Sequence, residues 1–340
     1  MRTVVVGASN SLVKGGVVQG MIDGGLNVIA NGSLGHSQAT ILPFRLSPAQ
    51  YGNLEFDHLV VEIATNEQIA LRSSLANFTT IKSILDWTAR WCAERSIGLT
   101  LVTMPESASY LHAGDMRRFG VRRFLNEYAK ERRLQIFDGY DWLDELIQNQ
   151  GADLAASFDT PAHIQTGLAH AFGVRIAESI DPTPARSKRQ LQAAPDFGYV
   201  AMAESEAWAG ADTIERSTSI GSAQLLRLKA EHEFELELER GTVVGTVHNA
   251  AGSTAILQVD GVASHAKRMD GHPGEKLILT AWGLRTPVPV DGATRLRALP
   301  VGYLPDLEHN HATIWRPLSR HARGLPTVEL AGLVLAIRPR

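Results

Sequence analysis

The sequence predicts an α/β domain with a mostly parallel sheet over residues 1–180, then a smaller all-β domain of sandwich or jelly-roll type over 199–340. Three observations lead there. Through about residue 178, short apolar runs alternate with helix-like segments, the pattern of strands joined by crossover helices. A stretch rich in proline, charge and small residues, 181–198, then reads as a linker. Beyond it the hydrophobic period changes to two, as in Phe234-Glu235-Leu236-Glu237-Leu238-Glu239. A length of 340 residues fits two domains, because a single core stops growing beyond roughly 250–300 residues.

The first strand is Thr3 to Val6, β-branched and ending at Gly7; Leu26 to Ala30 is the second, closed by Asn31-Gly32. His58 to Ala64 is the third, Leu99 to Met104 the fourth, stopped by Pro105, and Leu134 to Phe137 the fifth. Between the third and fourth, Leu71, Leu75, Phe78, Ile81, Leu85 and Trp91 recur mostly at spacings of three and four, which predicts one long helix over Ile69 to Ser96. Asp115 to Arg133 reads as another helix, with Phe119, Phe124 and Tyr128 inward and six arginines on a largely solvated face. In the second half, Thr242 to Val247, Ala255 to Val259, Leu277 to Ala281, Thr294 to Leu299 and Val328 to Ile337 are short strand-like runs between Gly and Pro.

Composition removes several classes of function. Lys plus Arg (33) against Asp plus Glu (36) gives a net charge of −3 and no electrostatic footprint for nucleic acid or an anionic membrane. The single cysteine, Cys92, allows no intrachain disulfide and sits in a helical pattern as a small core residue. Met1-Arg2-Thr3-Val4 runs directly into a strand with no secretory h-region, so a cytoplasmic location is expected.

Four segments carry the chemistry. Gly7-Ala8-Ser9-Asn10-Ser11 follows the first strand, where α/β sheets place their ligands, and can present Ser9 to a cleft. Position 9 is not glycine, so the dinucleotide fingerprint fails; Lys14 lacks the flanking residues of a phosphate-binding loop. The same serines, Ser9 or Ser11, read equally as caps of the next helix. Asn31-Gly32-Ser33-Leu34-Gly35-His36-Ser37 follows the second strand, and its glycines let backbone approach a substrate and aim an amide into the site. In Ala64-Thr65-Asn66-Glu67, Asn66 suits an oxyanion hole because its amide donates without titrating; it reads as well as a helix cap. Last, Phe158-Asp159-Thr160-Pro161-Ala162-His163 offers an imidazole to act as base and a carboxylate to orient it, or a histidine that merely packs in the first turn of a helix.

The order of these blocks resembles the SGNH (GDSL-like) esterase and acyltransferase superfamily across residues 1–178. That resemblance implies a flavodoxin-like three-layer α/β/α domain with Ser9 as nucleophile, His163 as general base and Asp159 as its partner. The oxyanion hole would then comprise the Ser9 and Gly35 amides and the Asn66 side chain. Three departures stand out: Ala8 replaces the usual Asp, Ala64 and Glu67 replace the Gly and Asp around Asn66, and Asp159 lies four residues before His163. The family spaces that pair by three, and here Thr160 holds the usual place. A backbone carbonyl or a carboxylate from elsewhere are the other candidates to orient the imidazole.

The resemblance further implies a serine esterase that removes O-acetyl groups from a saccharide through an acyl-serine, without metal or other cofactor. An O-acyltransferase acting on a polysaccharide or sugar precursor is the alternative. A non-catalytic glycan-binding or assembly protein is another, motivated by the altered Asp–His spacing. The β-rich half would be a carbohydrate-binding module, a lid, or a surface for a homo-oligomer. Trp208, Trp282, Tyr303 and Trp315 are available for sugar stacking, although such aromatics are more often core. His309-Asn310-His311 beside Glu308 has a spacing a metal could use but reads as a polar loop.

Overall fold

A computed structural model of the chain describes residues 1–72, 77–107, 120–183, 194–202, 212–218, 221–229, 233–253, 255–265, 277–299 and 327–337. Contacts divide it into two compact units, Met1–Ser74 with Lys82–Ala194 and Leu75–Ile81 with Pro195–Arg340. In the first unit β1 (Arg2–Gly7), β2 (Asn27–Asn31), β3 (His58–Glu62), β4 (Gly98–Thr103) and β5 (Gln135–Asp138) form a five-stranded sheet in the order β2-β1-β3-β4-β5. Every ladder in it is parallel. This is the flavodoxin-like order, and its direction reverses between β1 and β3, which opens a crevice at the carboxyl ends of those strands. All residues of β3 and β4 are buried, as expected for parallel strands covered on both faces. A separate antiparallel hairpin follows, made of β6 (Phe158–Thr160) and β7 (His163–Ile164).

The helices are α1 (Val17–Asp23), α2 (Ile41–Arg45), α3 (Thr65–Arg72), α4 (Phe78–Glu94), α5 (Gly120–Arg132), α6 (Gly139–Gln150) and α7 (Thr166–Ser179). The single helix expected over Ile69 to Ser96 is two. Asn77 Oδ1 accepts from the Thr80 amide at 3.0 Å, an N-cap that starts α4 afresh. Two of the arginines expected to be solvated are paired instead. Arg132 donates to both oxygens of Asp86, at 2.8 and 3.1 Å, and Arg122 to Asp138 at 2.8 Å. Phe119 lies outside the described residues, whereas Tyr128 is buried and donates its hydroxyl to Asp86. Cys92 is fully buried, and burial pushes its thiol far above its ordinary range.

Val17, Met21, Val60, Val102, Met104, Leu143, Phe172 and Ile176 belong to one core cluster that unites strands β3 and β4 with α1, α6 and α7. Helices α1 and α7 approach backbone to backbone. A Cβ on Gly20 would lie 2.0 Å from the His170 carbonyl oxygen, and one on Gly173 would lie 2.1 Å from that of Val17. Only hydrogen fits at either place. Gly173→Ala is therefore expected to lower the unfolding free energy by about 1–3 kcal/mol through overpacking, read as a lower urea midpoint at unchanged m-value.

The second unit is antiparallel throughout. Strands β8 (Asp196–Ala201), β9 (Thr213–Thr218), β10 (Gly221–Lys229), β11 (Glu233–Asn249), β12 (Ile256–Val259), β13 (Val262–His265), β14 (Leu279–Leu299) and β15 (Thr327–Ile337) form one sheet. Its path is β13-β12-β14-β11-β15-β10-β9, and β8 also pairs with β15. β8 begins inside the stretch expected to be linker. Runs expected to be separate strands are continuous: 234–239 and 242–247 lie in β11, and 279–281 and 294–299 in β14. Register shifts absorb the breaks, where Val243 pairs with Val288 but Gly245 with Gly283. The core holds Leu236, Leu238, Leu257, Leu284, Leu296, Leu330 and Leu333. Glu329, also buried, is neutralised by Arg216 at 2.7 Å and Arg227 at 3.2 Å and accepts from Asn249 at 2.6 Å. Trp282 is 3% exposed and belongs to the interior rather than to a sugar platform. Trp208, Tyr303, Trp315 and the segment Glu308 to His311 lie outside the described residues.

Candidate active site

The chain leaves β1 through Gly7 and Ala8 into a short 3-10 turn, Ser9–Leu12. No side chain caps that turn, and α1 is preceded by Gly16, so neither Ser9 nor Ser11 serves as a helix cap. The turn instead leaves Ser9 half-buried at the end of the sheet. Its hydroxyl lies 2.8 Å from His163 Nε2, a contact between residues 154 apart in sequence.

His163 is carried by the hairpin of β6 and β7. Pro161 and Ala162 form its tip, which places Thr160 directly across from His163. Thr160 Oγ1 lies 2.9 Å from His163 Nδ1 and also accepts from the Ala162 amide at 3.3 Å. With the proton on Nδ1, the imidazole donates to Thr160 and Nε2 accepts from Ser9; this tautomer is assigned from the network. The expected hydrogen bond from His163 to Asp159 is absent. Successive side chains along a strand point to opposite sides, so Thr160 facing the ring turns Asp159 away. Asp159 Oδ2 instead accepts from the Thr166 amide at 2.9 Å and the Thr166 hydroxyl at 2.8 Å. Partial burial holds the imidazole below its ordinary pKa, and the Asp159 charge opposes that through space. The neutral, proton-accepting form thus prevails at pH 7.

The other blocks close around the same turn. The Leu34 amide donates to the Gly7 carbonyl at 3.0 Å, which brings the Gly35 loop alongside Ser9. A Cβ on Gly35 would meet nothing within 4 Å, so its backbone faces open space. Among the described residues, no hydrogen bond uses the Ser9 or Gly35 amide, and both are free to donate to a developing oxyanion. Asn66 sits in the first turn of α3, 3% exposed, and gives one amide hydrogen to the Ser37 carbonyl at 2.8 Å. That bond ties its loop to the Gly35 loop and leaves the second amide hydrogen. Among the described residues, no group of three or more His, Cys, Asp or Glu is placed to hold a metal ion.

Two residues of the site escaped the sequence reading. Asn10, 2% exposed, donates from Nδ2 to Thr65 Oγ1 and to the Ala162 carbonyl, both at 3.3 Å, and so joins three of the four blocks. Glu62, at the end of β3, is 1% exposed and accepts from the Ala8 amide at 2.9 Å and the Ser11 hydroxyl at 3.1 Å. A carboxylate in a strand buried on both faces is a costly choice, and that cost was the available signal.

A flavodoxin-like sheet with a serine after β1 in reach of a late histidine is the arrangement that the SGNH/GDSL resemblance of the sequence leads one to expect. No family model and no curated protein matches the sequence. Among solved structures, the chain is similar to a two-domain esterase (CEX) active on acetylated mannans, with TM-score 0.61 and 9% identity over 100% of this chain and 92% of that one. The form of that esterase co-crystallised with mannopentaose gives TM-score 0.62 and 10% identity over the same shares. A member of the lipolytic protein G-D-S-L family from Veillonella parvula DSM 2008 overlaps 53% of this chain and 98% of its own, with TM-score 0.43 and 15% identity.

Proposed function

We propose that this protein is a serine esterase that removes O-acetyl groups from a saccharide through an acyl-Ser9 intermediate. The observation that carries the reading is the 2.8 Å contact between Ser9 Oγ and His163 Nε2. As the Ser9 oxygen attacks the ester carbonyl, its proton passes to Nε2, and the carbonyl becomes an oxyanion against the Ser9 and Gly35 amides and the Asn66 side chain. Collapse expels the sugar alkoxide, which takes the proton from His163, and leaves acetyl-Ser9. Water then attacks the acyl carbon with His163 again as base, releasing acetate. Throughout, Thr160 holds the ring in the tautomer that accepts at Nε2.

The saccharide substrate rests on the full-length likeness to an esterase active on acetylated mannans. Acetate release from acetylated mannan and from a panel of other acetylated saccharides tests it. The expected result is release by the intact protein and none by Ser9→Ala. Activity on short acyl esters with none on any acetylated saccharide would remove the saccharide from the proposal.

A further inference from the structure

The turn that presents Ser9 rests on Glu62. Oε2 of that carboxylate accepts both the Ala8 amide, one residue before the nucleophile, and the Ser11 hydroxyl, two after it. The fit is close: a Cβ on Gly7 would lie 2.7 Å from Glu62 Cβ and 2.8 Å from both Glu62 Oε2 and Ser11 Oγ. Oε1, fully buried, has no hydrogen-bond partner among the described residues. A proton could therefore reside on Oε1 without displacing either bond on Oε2. It would only weaken them, since bonds to an ionised acceptor are roughly twice as strong as neutral ones.

We propose that Glu62 is a positioning residue for Ser9, whose ionised carboxylate fixes the nucleophile turn and whose protonation loosens it. The inference rests on the Ser9–His163 reading and adds to it a second ionisation that governs activity. Burial pushes the Glu62 carboxyl up to about 7, and the like charge of Glu67 on α3 adds to the rise. Glu67, equally buried, is itself raised to about 7 and accepts from the Ala39 amide at 2.7 Å. The strands on either side place Gly7 and Val102 opposite Glu62, and the 3-10 turn offers Ala8 and Ser11, none of which titrates. The sign follows. A carboxyl raised in the folded state adds stability that is full below its unfolded value and is lost as pH rises through about 7. Activity runs the other way and rises through the same window as the turn tightens.

Three variants and two readouts test this. Gln at position 62 can still accept both bonds but cannot ionise. In Glu62→Gln, which is neutral at every pH, the limb of kcat/KM on p-nitrophenyl acetate near pH 7 is expected to vanish, leaving only the lower limb of His163. The rate at pH 8 is expected to fall about three- to tenfold, to the level the wild type shows with Glu62 protonated. Glu62→Ala, which removes the acceptor, is expected to lose about tenfold or more in kcat with KM little changed. Glu67→Gln, lacking the like charge, should retain the limb at a slightly lower midpoint. Thermal unfolding between about pH 4.5 and 7 is the second readout, independent of catalysis: the wild type should lose more stability with rising pH than Glu62→Gln. An unchanged acid limb in Glu62→Gln, with Ser9→Ala inactive, would overturn the role of Glu62 alone. Full activity of Ser9→Ala would instead overturn the reading beneath it.

Discussion

Ser9→Ala and His163→Ala are each expected to lower kcat/KM for p-nitrophenyl acetate by about 10⁶-fold, and the double variant is expected to fall no further. The non-additivity follows from the 2.8 Å contact. The hydroxyl is a weak nucleophile until the imidazole takes its proton, and with p-nitrophenolate as leaving group the second task of the imidazole, passing that proton to the departing oxygen, is not needed. Once either is gone, what remains is the stabilisation from the proposed oxyanion hole. The loss should lie in kcat and leave saccharide binding unchanged. Losses that multiplied in the double variant would mean that the two side chains act in separate steps.

The second large effect concerns the residue behind the histidine. Thr160→Asp is expected to raise kcat/KM by about tenfold, because a hydrogen bond to an ionised acceptor is worth roughly 1.5–3 kcal/mol against roughly 0.5–1.5 kcal/mol for a neutral one. The new anion would also favour the charged ring, so the ionisation of His163 should move to higher pH. Thr160→Val, which keeps the shape but removes the acceptor at 2.9 Å, is expected to lower kcat by a similar factor with KM unchanged. Steady-state kinetics across pH measures all three outcomes. A Thr160→Val enzyme as fast as the wild type would show that the hairpin holds the ring without that acceptor.

Much of the fold was legible in the sequence, because strands buried on both faces read as unbroken apolar runs and the loops after them carry the polar residues. The order of the blocks along the chain singled out Ser9 and His163, which the structure brings within 2.8 Å, and named Gly35 and Asn66 as the candidates beside them. The partner of His163 could not. A carboxylate looks like the natural orienter, and only the pairing of Thr160 with His163 across the hairpin shows which side chain meets the ring. Glu62 was hidden for the opposite reason: inside His58-Leu59-Val60-Val61-Glu62 it passes for one polar residue in a strand. Its meaning depends on the Ala8 amide, 54 positions away. The long strands of the second unit were split because Gly241 and Pro287 punctuate the sequence, whereas hydrogen bonding continues past both through shifts of register.

Peptide mass mapping after exposure to a fluorophosphonate probes the central chemistry most directly, since only an activated serine is phosphonylated. A single adduct on the peptide that contains Ser9, abolished in His163→Ala, is the outcome in keeping with a nucleophile activated across the crevice. An unlabelled Ser9 in the folded wild-type protein, or labelling undiminished in His163→Ala, would contradict it.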